Sequence, residues 1–115
     1  KQGRTKDARK ALAEAQEALR ESDDASARLA LGRTSAGIRA AEGDVSGAEK
    51  LLFEDAQRAK KAGLLDEELV TRLARARIRL FAGKGEARSE LQALEREARA
   101  AGFVQTAREA YALAP

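Results

Sequence analysis

The side chains able to carry chemistry are few, and their absence narrows what this chain can do. Cys, His, Met and Trp are all missing. Without Cys or His there is no ordinary zinc site, no iron–sulfur or haem ligation, no Cys or His nucleophile and no Ser-His-Asp triad. Paired carboxylates occur at Asp23-Asp24 and Glu67-Glu68. Adjacent residues on a helix diverge by about 100°, so they do not converge on a substrate; they read as complements to a helix N-terminal dipole. Gly83-Lys84-Gly85 suggests a phosphate loop, but both the G-x-x-x-x-G-K-[ST] spacing and a preceding strand are lacking, and the segment reads as an inter-helix turn. Tyr111, the one tyrosine, reads as a packing residue of the last helix. The chain is expected not to be an enzyme, with no catalytic residue, no cofactor and no metal.

The arginines offer more. Arg72, Arg75 and Arg79 fall at i, i+3 and i+7, on one face of a helix that also carries Arg77, and Arg33 and Arg39 lie on its homologue. This ridge is either a solvated face near a helix C-terminus, with Asp66, Glu67 and Glu68 at the other end, or a surface for a partner's acidic groups, because Arg forks pair bidentately with carboxylates and phosphates. Basic residues number 22 against 19 acidic, a net charge of +3 with the signs interspersed. That is a weak field, and the four aromatics sit near apolar stripes rather than forming a stacking platform. No specific nucleic-acid binding is expected, at most a weak, salt-sensitive association.

The elements that must hold these residues are helices. Ala and Leu contribute 27 and 14 of the 115 residues, and with Arg, Glu and Lys they are the strongest helix formers. Apolar positions recur at three-to-four spacing over 4–21, 25–42, 44–62, 65–82, 84–101 and 103–113, with none of the alternation of a strand. Gly43, Gly63, Gly83 and Gly102 sit just past these runs, where a left-handed C-terminal conformation is needed. Asp23, Asp24, Asp44 and Asp66 sit at the starts as N-caps, and Ser46-x-x-Glu49 fits a capping box. Loops this short make consecutive helices antiparallel neighbours.

The pattern repeats. Gly3, Gly43 and Gly83 are evenly spaced, followed by Ala8 and Leu12, Ala48 and Leu52, and Ala87 and Leu91; Leu29, Ala36, Ile38 and Arg39 match Leu69, Ala76, Ile78 and Arg79. A period of twenty to fifty residues marks a solenoid. The reading is one all-α domain over 1–115, a right-handed stack of about six antiparallel helices with repeat units 3–42, 43–82 and 83–115. Lys1 in place of Met predicts a fragment of a longer protein. No apolar run is long enough to cross a membrane, and no membrane insertion is expected. The compartment stays open, with the cytoplasm favoured.

The run Ala36, Gly43, Ala48, Leu52 and its copy Ala76, Gly83, Ala87, Leu91 resemble tetratricopeptide repeats. The period of about forty is longer than the family's, the aromatic consensus residues are missing, and Ala62-Gly63 and Ala101-Gly102 stand where the family has Pro. The stretch from Leu94 to Phe103 is similar to the last repeat of Ala-rich tetratricopeptide regions at the C-terminal end of bacterial multidomain signalling proteins. The resemblance implies that helices 25–42 and 65–82 line a concave groove, presenting Ala30, Arg33, Gly37, Ala40 and Ala41, then Val70, Leu73, Arg77, Leu80 and Phe81. Arg33, Gly37, Leu73, Arg77 and Phe81 are the candidate binding residues. Arg33 and Gly37 do not match the family's carboxylate clamp. Phe81 either packs inward against helix 84–101 or anchors a partner's apolar side chain beside the hollow left by Ala40 and Ala41. The expected function is a protein–protein interaction scaffold that takes a protein or peptide partner; the alternative is a self-association module forming a homodimer.

Overall fold

Glycine sets the punctuation of this chain. Gly43, Gly63, Gly83 and Gly102 all have positive φ, between 74° and 98°, a conformation in which a Cβ would clash. At each, the residue after the glycine donates its N–H to the carbonyl five positions earlier: Asp44 to Arg39 at 2.8 Å, Leu64 to Ala59 at 2.9 Å, Lys84 to Arg79 at 2.9 Å and Phe103 to Ala98 at 2.8 Å. These are Schellman closures, which satisfy carbonyls that a helix end would otherwise leave open.

The structure, a computed structural model, describes residues 2–19 and 24–115. These residues form α1 (Gln2–Leu19), α2 (Ala25–Ala41), α3 (Val45–Lys61), α4 (Leu65–Phe81), α5 (Ala87–Ala100) and α6 (Val104–Leu113), with no strand among them. The all-α stack expected from the periodicity is what forms. Two starts differ. Gly3 lies in the first turn of α1 rather than in a turn between helices. In the third copy the Gly83–Glu86 segment stays outside the helix, closed by the Ala87 N–H on the Lys84 carbonyl at 3.2 Å, so α5 begins later than the sequence predicts.

The N-caps are sorted by which side chain reaches a free N–H. Asp24 accepts from Ala27 at 3.0 Å, and Asp44 accepts from Gly47 at 2.9 Å. The capping box does not form: Asp44 is the cap of α3, Ser46 lies inside the helix, and Glu49 reaches across to α4. Asp66 is not a cap either. The cap position of α4 is Leu64, without a side-chain bond, and Asp66 stands in the first turn with Glu67 and Glu68, where a carboxylate favours the helix dipole. Asp23 lies outside the described residues.

Each helix packs against the next in the chain. Beyond that, α4 touches α2 and α6, whereas among the described residues α1, α3 and α5 touch only their sequence neighbours; no Cα of α3 comes within 8 Å of one in α5. The helices therefore zigzag into two layers, with α2, α4 and α6 the more closely spaced. The main core joins α4, α5 and α6 through Leu69, Leu73, Ala76, Leu91, Leu94, Ala98, Ala107 and Ala110. A smaller one joins α2 and α3 through Ala36, Ala48 and Leu52. Alanine at the crossings lets the helix axes approach, while each buried Leu supplies most of the apolar area removed from water. Leu73 belongs to this core at 7% exposure. It was expected in the groove, but it packs against α5 and α6 and cannot present itself to a partner.

Candidate functional site

The arginine ridge of α4 faces the chain's own glutamates. Arg72 forms a two-pronged pair with Glu97 of α5, at 2.9 and 2.8 Å, and lies 3.7 Å from Glu68 one turn back. Its hydrogen bonds hold the Glu97 carboxyl below the usual carboxylate range, and Glu97 in turn raises the Arg72 guanidinium. Arg79 reaches Glu49 of α3, Glu86 and Glu90. Its bond to Glu49, the largest influence, lifts its pKa further above the ordinary arginine value. For Arg72 and Arg79 the ridge is thus neither a free solvated face nor open to a partner. Arg72 and Arg79 do bind carboxylates bidentately or in clusters, but those carboxylates belong to this chain, and Glu49, Glu90 and Glu97 among them tie α4 to α3 and α5.

Arg75 is different. Its guanidinium lies over the Phe53 ring, 5.6 Å from the centroid. Its nearest carboxylate is Glu90 at 3.9 Å, and its Nε is buried with no hydrogen-bond partner. It lines a cleft of about 620 Å³ with one stripe from each of three helices: Phe53, Ala56, Gln57 and Lys60 from α3, Glu68, Arg72, Arg75 and Ala76 from α4, and Glu90, Ala93, Leu94 and Glu97 from α5. The cleft exists because α3 and α5 stand apart over α4.

The residues expected to form a groove divide. Arg33 is largely buried and donates from Nη1 to Glu67 at 2.9 Å and to Thr71 Oγ1 at 3.2 Å. It is a bridge between α2 and α4 and not a free cation. Leu80 and Ala40 are half-buried against the two cores, and Val70 is half-buried as well. Gly37, Arg77 and Phe81 are exposed. Phe81 is 71% exposed and lies under the Arg77 guanidinium, 5.8 Å from its ring centroid. The inward packing against α5 does not occur, because Leu80, one position earlier, takes the place against the core. Nothing comes within 4 Å of where a Gly37 Cβ would be. Ala30 and Ala41 are exposed on the same helices. Tyr111, expected to pack, is 57% exposed.

A second cavity of about 360 Å³ lies between α2 and the end of α3, lined by Leu29, Asp55, Arg58 and Leu64 among others. Asp55 is buried there. Burial pushes its carboxyl above the usual range, against the opposing bond from Arg58 Nη1 at 2.7 Å. A Cβ on Gly32 would collide with this carboxylate, so α2 carries a glycine where α3 brings Asp55 close. The spacing marked Arg75 as one of the ridge arginines, but nothing in it pointed to Phe53 or Asp55. Each acquires its role from a helix distant in sequence.

No family model, curated protein or solved structure matches the chain. The functional argument therefore rests on these surfaces. Among the described residues, no three His, Cys, Asp or Glu side chains gather as metal ligands, and no helix is long and apolar enough to cross a membrane.

Proposed function

We propose that this chain is a non-catalytic scaffold of tetratricopeptide-like character that binds a peptide or helix of a partner protein on its α2/α4 face. The observation that carries the reading is Phe81, a large aromatic left 71% exposed beside its own arginine. Exposed aromatic and Arg side chains are the types that dominate binding energy at interfaces. Gly37 and Arg77 occupy equivalent positions of α2 and α4, and both are open to solvent. The layer they belong to is the more closely spaced one, as the inner side of a curved stack must be.

The test pairs binding with stability. Phe81→Ala and Arg77→Glu are each expected to leave the melting curve nearly unchanged and to abolish capture of the partners that the unmodified chain retains from its native proteome. Variants that keep the same partners at the same affinity would remove this face from consideration. Light scattering after size exclusion addresses the alternative: a dimer that Phe81→Ala dissolves would make the face a contact between two copies.

A further inference from the structure

The cleft between α3 and α5 has an imbalance of hydrogen-bonding capacity. Its carboxylates are engaged: both oxygens of Glu97 accept from Arg72, Glu68 faces Arg72, and Glu90 accepts from Arg79 at 3.0 Å. Its unused groups are donors. Arg75 has five N–H groups and makes no hydrogen bond among the described residues, its one ion pair being the 3.9 Å approach to Glu90. Lys60, an exposed residue of the lining, makes no ion pair within 4.0 Å among the described residues, although its charge is felt by Glu97. A ligand that completes these groups must bring acceptors, and negative charge suits both.

The rest of the lining decides what kind of anion. Phe53 is 51% exposed, with Arg75 over its ring, and Ala76 and Ala93 add apolar lining. The cleft's charges balance, Lys60, Arg72 and Arg75 against Glu68, Glu90 and Glu97, so it suits a ligand with a few spaced carboxylates that can reach Arg75 and Lys60 clear of the glutamates, and not a densely charged phosphate polymer. Phe53 and Lys60 are seven residues apart on α3, about 10 Å along the helix, a span that one short peptide covers. We propose that this cleft binds an acidic peptide segment of a protein partner, with its carboxylates on Arg75 and Lys60 and an adjoining apolar side chain against the Phe53 ring. The site lies on the opposite layer from the Phe81 face, deepens the scaffold reading, and can fail without it.

The test is a titration of the isotopically labelled full chain, followed by backbone amide resonances. The probes are an acetylated pentapeptide of alternating glutamate and leucine, its lysine counterpart, and inorganic phosphate. The glutamate peptide is expected to give saturable shifts at Phe53, Gln57, Lys60 and Arg75, and the lysine peptide none there. The double variant Arg75→Gln with Lys60→Gln should weaken the peptide by about tenfold or more, since charge-assisted bonds to carboxylates are the strong ones. Phe53→Ala, at an exposed position, serves as a second variant with unchanged helix content and the same direction of effect. Equal shifts from both peptides, a phosphate response that matches the peptide's, or no saturable shift would each overturn the cleft assignment. So would shifts confined to Gly37, Arg77 and Phe81, which would leave the α2/α4 face standing.

Discussion

Two carboxylates, Asp55 on α3 and Glu97 on α5, respond to burial and pairing with opposite sign. Asp55 is taken out of water between α2 and α3, and its carboxyl is raised chiefly by that desolvation. It binds its proton more tightly folded than unfolded, so its contribution to stability is present at low pH and is lost as pH rises through the raised value. Glu97 is lowered, first by its hydrogen bonds from Arg72. Its contribution is present above the unfolded carboxylate pKa and is lost as pH falls through the folded one. Amide substitutions should separate the two. Between about pH 3 and pH 7, and relative to the unmodified chain, Asp55→Asn is expected to gain in melting temperature as pH rises above about 4, whereas the deficit of Glu97→Gln shrinks as pH falls below about 4. Thermal melts across that range check it; parallel pH profiles for the two variants would contradict the assignment. None of this was visible in the residue order. Arg33, Arg72 and Arg79 read as surface cations because their partners, Glu67, Glu97 and Glu49, lie on other helices. A side chain's ionic partner across two helices depends on register, which periodicity alone does not supply.

At the scale of the element, local chemistry was the legible part. The C-terminal glycines were readable because positive φ demands a residue type, and all four adopt it. Helix interiors were readable because Ala and Leu recur at one period. The caps were only partly readable, since Asp44 and Ser46 both suit a helix start and only backbone geometry selects between them. Asp44 precedes α3 and accepts the Gly47 N–H; Ser46 is inside. Asp44→Ala is therefore expected to cost about 1 kcal/mol, while Ser46→Ala stays within about 0.5 kcal/mol of zero. Denaturant midpoints of the two variants decide it, and a larger loss at Ser46 would reinstate the capping box. The candidate groove was half legible for a related reason. The helical period places Leu73, Arg77, Leu80 and Phe81 near one stripe, but a helix buried on two sides has little free face. Leu73 and Leu80 went to the core, and Arg77 and Phe81 remained outside.

Across the whole molecule the stack is uneven. The α4–α5–α6 core buries four leucines, Leu69, Leu73, Leu91 and Leu94, together with five alanines. The α2–α3 cluster buries one, Leu52, with two alanines. Among the described residues α1 touches α2 alone; its Ala8, Leu12 and Ala15 are only half-buried, and it is joined to the end of α2 by the exposed Arg9–Glu42 pair. In a stack where each helix leans on its neighbours, stability is close to a sum of local and interface contributions, so helices can open separately. An exposed ion pair adds little to such a contact, and each fully buried Leu adds about 1.5–3 kcal/mol. Opening free energies should therefore fall along the chain in the order α4 and α5, then α3, then α2, then α1. Native-state hydrogen exchange measures this directly: the slowest amides belong to Leu69, Leu73, Leu91 and Leu94, and those of α1 exchange fastest among helical amides. Raising the salt should narrow the difference between α4–α5 and α3 only slightly, because leucine burial rather than the Arg72–Glu97 and Arg79–Glu49 pairs separates them. Uniform protection across all six helices would mean that the stack opens as one unit and that the ionic bridges between layers, not the leucines, set its cooperativity.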